Sequence, residues 1–277
     1  MLVNMKTLLQ DAKKNQYGIP AANAWNESTV KAAIATAEAQ RSPLILALYP
    51  AMADILEFGA IAIPHASRAQ VPVVVHLDHG QEFADAVKAV RAGFTSLMVD
   101  RSTCPFEQNV AEVREIVKIA HTLDMSVEAE LGHVGKGSEY HRTKNDGLTD
   151  PGEAERFVAA TGIDCLAVAV GTSHGMYAGT PEIHFDLLAR LNQVVPVPLV
   201  LHGCSGTGDD NLQKAIQYGI TKLNLYTDLD QAGYAVLDQF FIQGKAANML
   251  QAEAAMTAGY AAKLGYYMEL FGSQQRV

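Results

Sequence analysis

The chain has 277 residues, and 49% of them are hydrophobic, enough for a large buried core. Its 21 basic and 30 acidic residues leave a net charge of −9, which argues against nucleic acid or an anionic membrane as partner, although backbone amides can still bind a phosphate locally. Cys104, Cys165 and Cys204 are too scattered for a disulfide framework or a cysteine zinc site, and no leader-like or bilayer-length apolar run is present, so a soluble, cytoplasmic protein is expected.

In chain order, strands are predicted at 17–23, 43–48, 72–77, 94–99, 126–131, 164–170, 197–202 and 220–225. Between them, apolar residues recur at three- and four-residue spacing over 27–40, 83–93 and 107–123, the signature of amphipathic helices. A further helix is announced at 150–158, with Asp150 as N-cap, Pro151 at the first helical position and Glu153 three residues after the cap. Strands joined by single helices pair in parallel, and strands that are continuously apolar are buried on both faces. Eight such units in one domain spanning 1–277 predict an α/β fold, a (β/α)8 TIM barrel with a C-terminal helical extension from about residue 228. The rival, an open doubly wound sheet, needs a glycine-rich turn after the first strand, and "PAANAWN" has none.

Barrel enzymes carry their chemistry at the C-terminal ends of the strands, and there the polar residues of this sequence collect. Strand one ends in Asn23, strand three in Asp78 and His79, strand four in Asp100 and strand five in Glu130. Strand six runs into "GTSHG" with His174, strand seven into "HGCSG" with His202, and strand eight into Asn224 and Thr227. Three neutral imidazoles, His79, His174 and His202, suit a zinc ion and leave a position open for substrate or water. His76, three residues before His79, is expected on the opposite face as a supporting or packing residue. Asp78 is placed either for acid–base work beside the ion or for orienting His79. Asp100 and Glu130 are candidates for a second cation, or else for a salt bridge or helix cap. Gly203, Ser205, Gly206 and the helix opening at "TDL" suggest a phosphate site with free backbone amides pointing outward. No lysine stands out as buried at the rim.

These segments together resemble a class II, zinc-dependent ketose-bisphosphate aldolase, in pattern most like the tagatose-bisphosphate branch. "HLDHG", "SVEAELGHVG", "LAVAVGTSHGMY", "PLVLHGCSG" and "ITKLNLYTDL" follow the family pattern in order and spacing, within a likeness from "YGIPAANAWN" to "FGSQQRV". The resemblance implies His79, His174 and His202 as ligands of Zn2+ and Asp78 as the acid–base residue for the aldehyde half. It implies Gly175, Gly203, Ser205, Asn224 and Thr227 as the cradle for dihydroxyacetone phosphate, with Asn23 at the substrate pocket. Asp100 and Glu130 match an alternative metal position. A sodium or potassium ion and a homodimer or homotetramer also belong to this expectation. The glycine-flanked loop 135–147 reads as a lid, and Glu139 within it is the candidate that protonates the carbanion carbon, or else a solvated loop residue.

Several positions depart from the family. Tyr49 and Ala51 stand where a small hydroxyl residue and a glycine are usual, Cys204 where a small residue is usual, and Tyr226 where fructose-bisphosphate enzymes carry aspartate. The loop 135–147 is shorter than in the tagatose enzymes. Two other readings share the same residues: a mononuclear zinc hydrolase on the same barrel, and a non-catalytic sugar-phosphate-binding relative. The apolar tail "LGYYMELF" is expected to pack on a neighbouring subunit or on its own barrel.

Overall fold

Every predicted β-rich run forms a strand in the computed structural model, which describes residues 1–143, 145–244 and 248–277. The barrel strands are β1 (Ile19–Asn23), β2 (Leu44–Leu48), β3 (Val73–Gly80), β4 (Ser96–Val99), β5 (Ser126–Leu131), β6 (Cys165–Val168), β7 (Leu199–Leu201) and β8 (Ile220–Leu225). They pair in parallel in the order β1-β8-β7-β6-β5-β4-β3-β2, and β8 closes on β1 with Ile19 opposite Lys222 and Ala21 opposite Asn224. One face of each strand meets the barrel interior and the other meets the helices, which is why runs such as Leu44–Leu48 are fully buried.

Of the outer helices, α2 (Glu27–Gln40), α4 (Phe83–Arg91) and α5 (Phe106–Thr122) lie where the apolar spacing predicts them, and α6 (Pro151–Thr161) where the cap residues do. Asp150 caps α6 as expected, accepting from the Glu153 amide at 2.8 Å. Helices α3 (Ile55–Arg68), α7 (Phe185–Val194) and α8 (Asp209–Gln217) complete the ring, although the sequence reading assigns no element there. A helix before the first strand, α1 (Met5–Asn15), is also unassigned. Its buried Met5, Leu9 and Ala12 share one cluster with Ile19, Ile45, Val74, Met98 and Val200 of the barrel interior. Its Lys6 amide donates to Ser126 Oγ, at the start of β5, at 3.0 Å, so α1 plugs the N-terminal end of the barrel. No helix among the described residues is long and apolar enough to cross a membrane.

The C-terminal extension is an antiparallel-packed pair, α9 (Thr227–Ile242) and α10 (Met249–Leu270). The pair is close because Gly259 has no side chain: a Cβ there would fall 2.3 Å from the Ala232 carbonyl oxygen. Leu264, Tyr267, Met268 and Phe271 of the apolar tail are buried in the main core, so this tail packs on its own barrel.

Between α5 and α6, Phe157 is fully buried and its ring centroid lies 6.0 Å from that of Phe106. Truncating it leaves a phenyl-sized void between packed helices. Phe157→Ala is therefore expected to cost about 3–5 kcal/mol of stability, visible as a lower midpoint of urea unfolding by circular dichroism. An unchanged midpoint would mean that the helices close over the void.

Candidate active site

Side chains on a strand alternate between faces, and three strands use that period to stack two inward polar residues each. They are His76 and Asp78 on β3, Glu128 and Glu130 on β5, and Lys222 and Asn224 on β8, all buried. Above them, at the C-terminal end of the barrel, opens a cavity of about 340 Å³. Asn23, Asp78, His79, Asp100, His174, Gly175, His202, Gly203, Ser205, Asn224 and Thr227 all line it, so nearly the whole predicted constellation converges.

Simple alternation would turn Asp78 and His79 to opposite faces. The chain avoids this at a bulge in the β3–β4 ladder between Leu77 and Gly80, where His79 takes a left-handed backbone with φ of +51°. The irregularity lets both side chains reach the cavity. Beneath them His76 stays inside the barrel, a supporting residue and not a rim group.

Each of two imidazoles is held by a carboxylate on the side away from its neighbours. His79 Nδ1 lies 2.8 Å from Asp100 Oδ2, and His202 Nε2 lies 2.8 Å from Glu128 Oε1. A carboxylate oxygen accepts from each of these nitrogens, which leaves Nε2 of His79 and Nδ1 of His202 turned toward the cavity. His79 Nε2 and His174 Nε2 face each other at 3.2 Å, and the buried His202 Nδ1 has no hydrogen-bond partner among the described residues. One nitrogen from each of the three rings falls within 4.8 Å of the others. An orphaned nitrogen on His202, converging with the facing nitrogens of His79 and His174, fits a divalent ion with an open coordination position. Burial and the charge of His79 push His174 down to about 4, and burial pushes His202 well below the ordinary histidine range. Burial opposes charge on His79 too, yet Asp78, Asp100 and Glu130 outweigh it and raise the group to about 9. A divalent ion would take the place of that proton as the positive charge among these carboxylates.

Asp78 is gripped from both sides. Asn23 Nδ2 donates to Oδ2 and Asn224 Nδ2 to Oδ1, each at 2.9 Å. Burial disfavours its charge, but His79, His202, Lys222 and the Asn23 amide hold it at about 2, so it is ionised. Its Oδ1 is 3.9 Å from His79 Nε2. Asp100 and Glu130 join His79 in a second group of ligand atoms within 4.8 Å. Asp100 lies below the usual carboxylate range, since its bonds to His79 and Ser102 overcome burial. Glu130 is raised to about 8 by burial and by Asp100, and its Oε2 has no hydrogen-bond partner among the described residues.

Around the phosphate candidates the backbone departs from the expected open amides. Ser205 Oγ accepts from the Asp228 amide at 3.1 Å, so this first-turn group of α9 is engaged and not free. Gly203 has φ of +68°, and a Cβ there would sit 2.4 Å from the Ser173 carbonyl oxygen, so only glycine carries β7 past that segment. Tyr49, 37% exposed, sets its ring edge-on to His79 with centroids 6.2 Å apart, and crowds the rim as its size predicts. Tyr226 also lines the cavity and leans edge-on against Trp25.

Glu139 is not brought to the cavity. It lies on a short 3-10 turn (Gly137–Glu139) with its carboxylate exposed and 3.8 Å from Arg142, while Lys144 of the same loop lies outside the described residues. No buried lysine among the described residues lines the cavity, as expected of the rim; the one lysine among them that lines it, Lys136, is exposed. Lys222 is fully buried, with Nζ 2.8 Å from Glu128 Oε2, although it does not line the cavity. Both Glu128 and Lys222 escaped the sequence reading. The signal was their period-two spacing from Glu130 and Asn224, which puts each pair on one face of its strand.

The family model for class-II fructose-bisphosphate aldolase matches residues 3–276. Among solved structures, the YdjI aldolase from Escherichia coli K12 is similar with 33% identity and a TM-score of 0.90, over 100% of this chain and 99% of that one. Fructose-bisphosphate aldolase from Campylobacter jejuni shares the fold at 17% identity and a TM-score of 0.85, over 100% of this chain and 97% of that one. With a rim of histidines and carboxylates that fits a metal ion, and a family match over nearly its whole length, the chain belongs to the class-II fructose-bisphosphate aldolase family and is a metal-dependent aldolase.

Proposed function

We propose that this aldolase reversibly cleaves a ketose 1-phosphate or a fructose- or tagatose-like ketose 1,6-bisphosphate into dihydroxyacetone phosphate and an aldehyde, with zinc held by His79, His174 and His202. The observation that carries the reading is the convergence of three imidazole nitrogens beside an ionised, doubly clamped Asp78. When bound, zinc supplies a Lewis acid that stabilises negative charge developing on substrate oxygens. Asp78 takes the proton of the C4 hydroxyl in cleavage and returns it in condensation. Each of its oxygens accepts one amide hydrogen, which leaves a further lone pair for that proton. Asn23 and Asn224 hold the carboxylate in place. Gly175, Gly203, Ser205 and Thr227 cradle the donor phosphate, and Asp100 with Glu130 offers a second metal position. Glu139 protonates the carbanion carbon, a role that requires loop 135–147 to close over the mouth.

The three free thiols support a reducing, cytoplasmic setting. The exposed Phe241, Ile242, Met249 and Leu250 at the α9–α10 end support a homodimer or homotetramer. A sodium or potassium requirement rests on the resemblance alone and is tested by omission from the buffer.

The deciding experiment follows the C–H signals of dihydroxyacetone phosphate by NMR in deuterated buffer, with zinc-loaded and chelator-treated protein. Stereospecific loss of one proton, dependent on metal, is expected. Full retention of both protons with zinc bound would overturn the donor assignment.

A further inference from the structure

Below the cavity lies a polar layer that the reaction as described does not touch. His76, Glu128 and Lys222 come from β3, β5 and β8, and each is 0% exposed. Lys222 Nζ lies 2.8 Å from Glu128 Oε2 and 3.4 Å from His76 Nε2, whose other nitrogen is 2.9 Å from Ser96 Oγ. The second oxygen of Glu128 faces upward to His202 Nε2 at 2.8 Å. Elsewhere the barrel interior is filled by Ile19, Ile45, Val74, Met98 and Val200. An apolar filling serves stability at least as well as a buried ion pair, whose desolvation cost rivals its attraction. The layer therefore calls for a role other than holding the barrel together.

That role follows from donor and acceptor accounting. With the Lys222 ammonium 2.8 Å from its Oε2, Glu128 is paired as a carboxylate, and its Oε1 accepts the ring hydrogen of His202 on Nε2. Its Nδ1 is then left with a lone pair, buried, without a hydrogen-bond partner among the described residues and grouped with the nitrogens of His79 and His174. Lys222 occupies the other carboxylate oxygen and so holds Glu128 turned with Oε1 on His202. His76, anchored on Ser96, presents its second nitrogen to the same ammonium and limits where that ammonium can lie. Three strands thus brace one imidazole supplied by the end of a fourth.

We infer that Glu128 and Lys222 are positioning residues that lock His202 in the tautomer with Nδ1 open, and thereby set the affinity of the rim for zinc. The inference rests on the zinc reading above. Neither residue lines the cavity, so neither touches substrate.

The test compares the unaltered protein with Glu128→Gln and Lys222→Met. Zinc affinity is measured by competition with a chromophoric chelator, and the ligand field by the visible spectrum of the cobalt-substituted protein. Both variants are expected to bind zinc about 10–100-fold more weakly and to shift the cobalt bands. Val74→Ala, which opens a void in the same interior but removes no hydrogen bond, should lower stability and leave both readouts in place. Unchanged zinc affinity and cobalt spectrum in both folded variants would overturn the inference. If either variant does not fold, nitrogen-15 NMR of the unaltered zinc-free protein decides: a hydrogen on His202 Nε2 supports the lock, and a hydrogen on Nδ1 overturns it. Failure of the unaltered protein to bind zinc at all would instead sink the zinc reading, so the two failures are distinguishable.

Discussion

Replacing Asp78 with asparagine is expected to lower kcat for aldol cleavage by about 10³-fold while zinc content stays at its original level. The magnitude is that of a lost acid–base residue, typically 10²–10⁴-fold. The asparagine keeps the shape of the carboxylate but cannot take up the C4 proton. Its NH2 also meets an amide NH2 from either Asn23 or Asn224, so one of the two 2.9 Å bonds is lost. That local loss is worth about 1–3 kcal/mol, too little to unfold a barrel of this size. Alanine is a poorer choice, because it strands both amides. The histidine rim is untouched by the change, since His79 is held by Asp100 and His202 by Glu128. Proton exchange of dihydroxyacetone phosphate should fall much less than cleavage, because Asp78 acts on the aldehyde half. The two rates, read beside zinc content by atomic absorption, check the assignment. A kcat within tenfold of the parent, with zinc retained, would remove Asp78 from the acid–base role.

Removing the metal is expected to be as damaging. Chelator-treated protein should retain less than about 1% of cleavage activity, because several kcal/mol of charge stabilisation are withdrawn and each 1.36 kcal/mol is tenfold in rate. Activity should return with one equivalent of zinc per chain. One equivalent is expected although two groups of ligand atoms exist, since both draw on the single imidazole of His79. His202→Ala should reproduce the metal-free state even when zinc is supplied, because it removes the orphaned Nδ1 and leaves a buried Glu128 oxygen without its partner. Titration with zinc, followed by activity and by metal analysis after desalting, gives both numbers. Full activity in the presence of excess chelator, with no metal detected, would end the zinc proposal.

How much of this was legible in the chain depends on how local each cause is. The eight strands, the parallel barrel and the rim positions of Asp78, His79, Asp100, Glu130, His174 and His202 follow from period and punctuation along the sequence. Burial on both faces makes a strand continuously apolar, and a polar residue at its end marks where it leaves the core. The cap at Asp150 is likewise a matter of a few neighbouring residues. Other features needed the closed barrel. Alternation alone separates Asp78 from His79, and only the bulge where β3 meets β4 sends both to one cavity. Glu128 and Lys222 are 94 positions apart and find each other only because β5 and β8 face across the interior. The plug formed by α1 and the docking of the apolar tail on its own barrel are likewise outcomes of long-range packing. The sequence by itself determined which residues form strands and which polar groups end them, because those follow from short-range periodicity. Tertiary structure decided which lone pairs are left bare and which charges are paired, because a side chain's hydrogen-bond partner depends on what the closed barrel places opposite it.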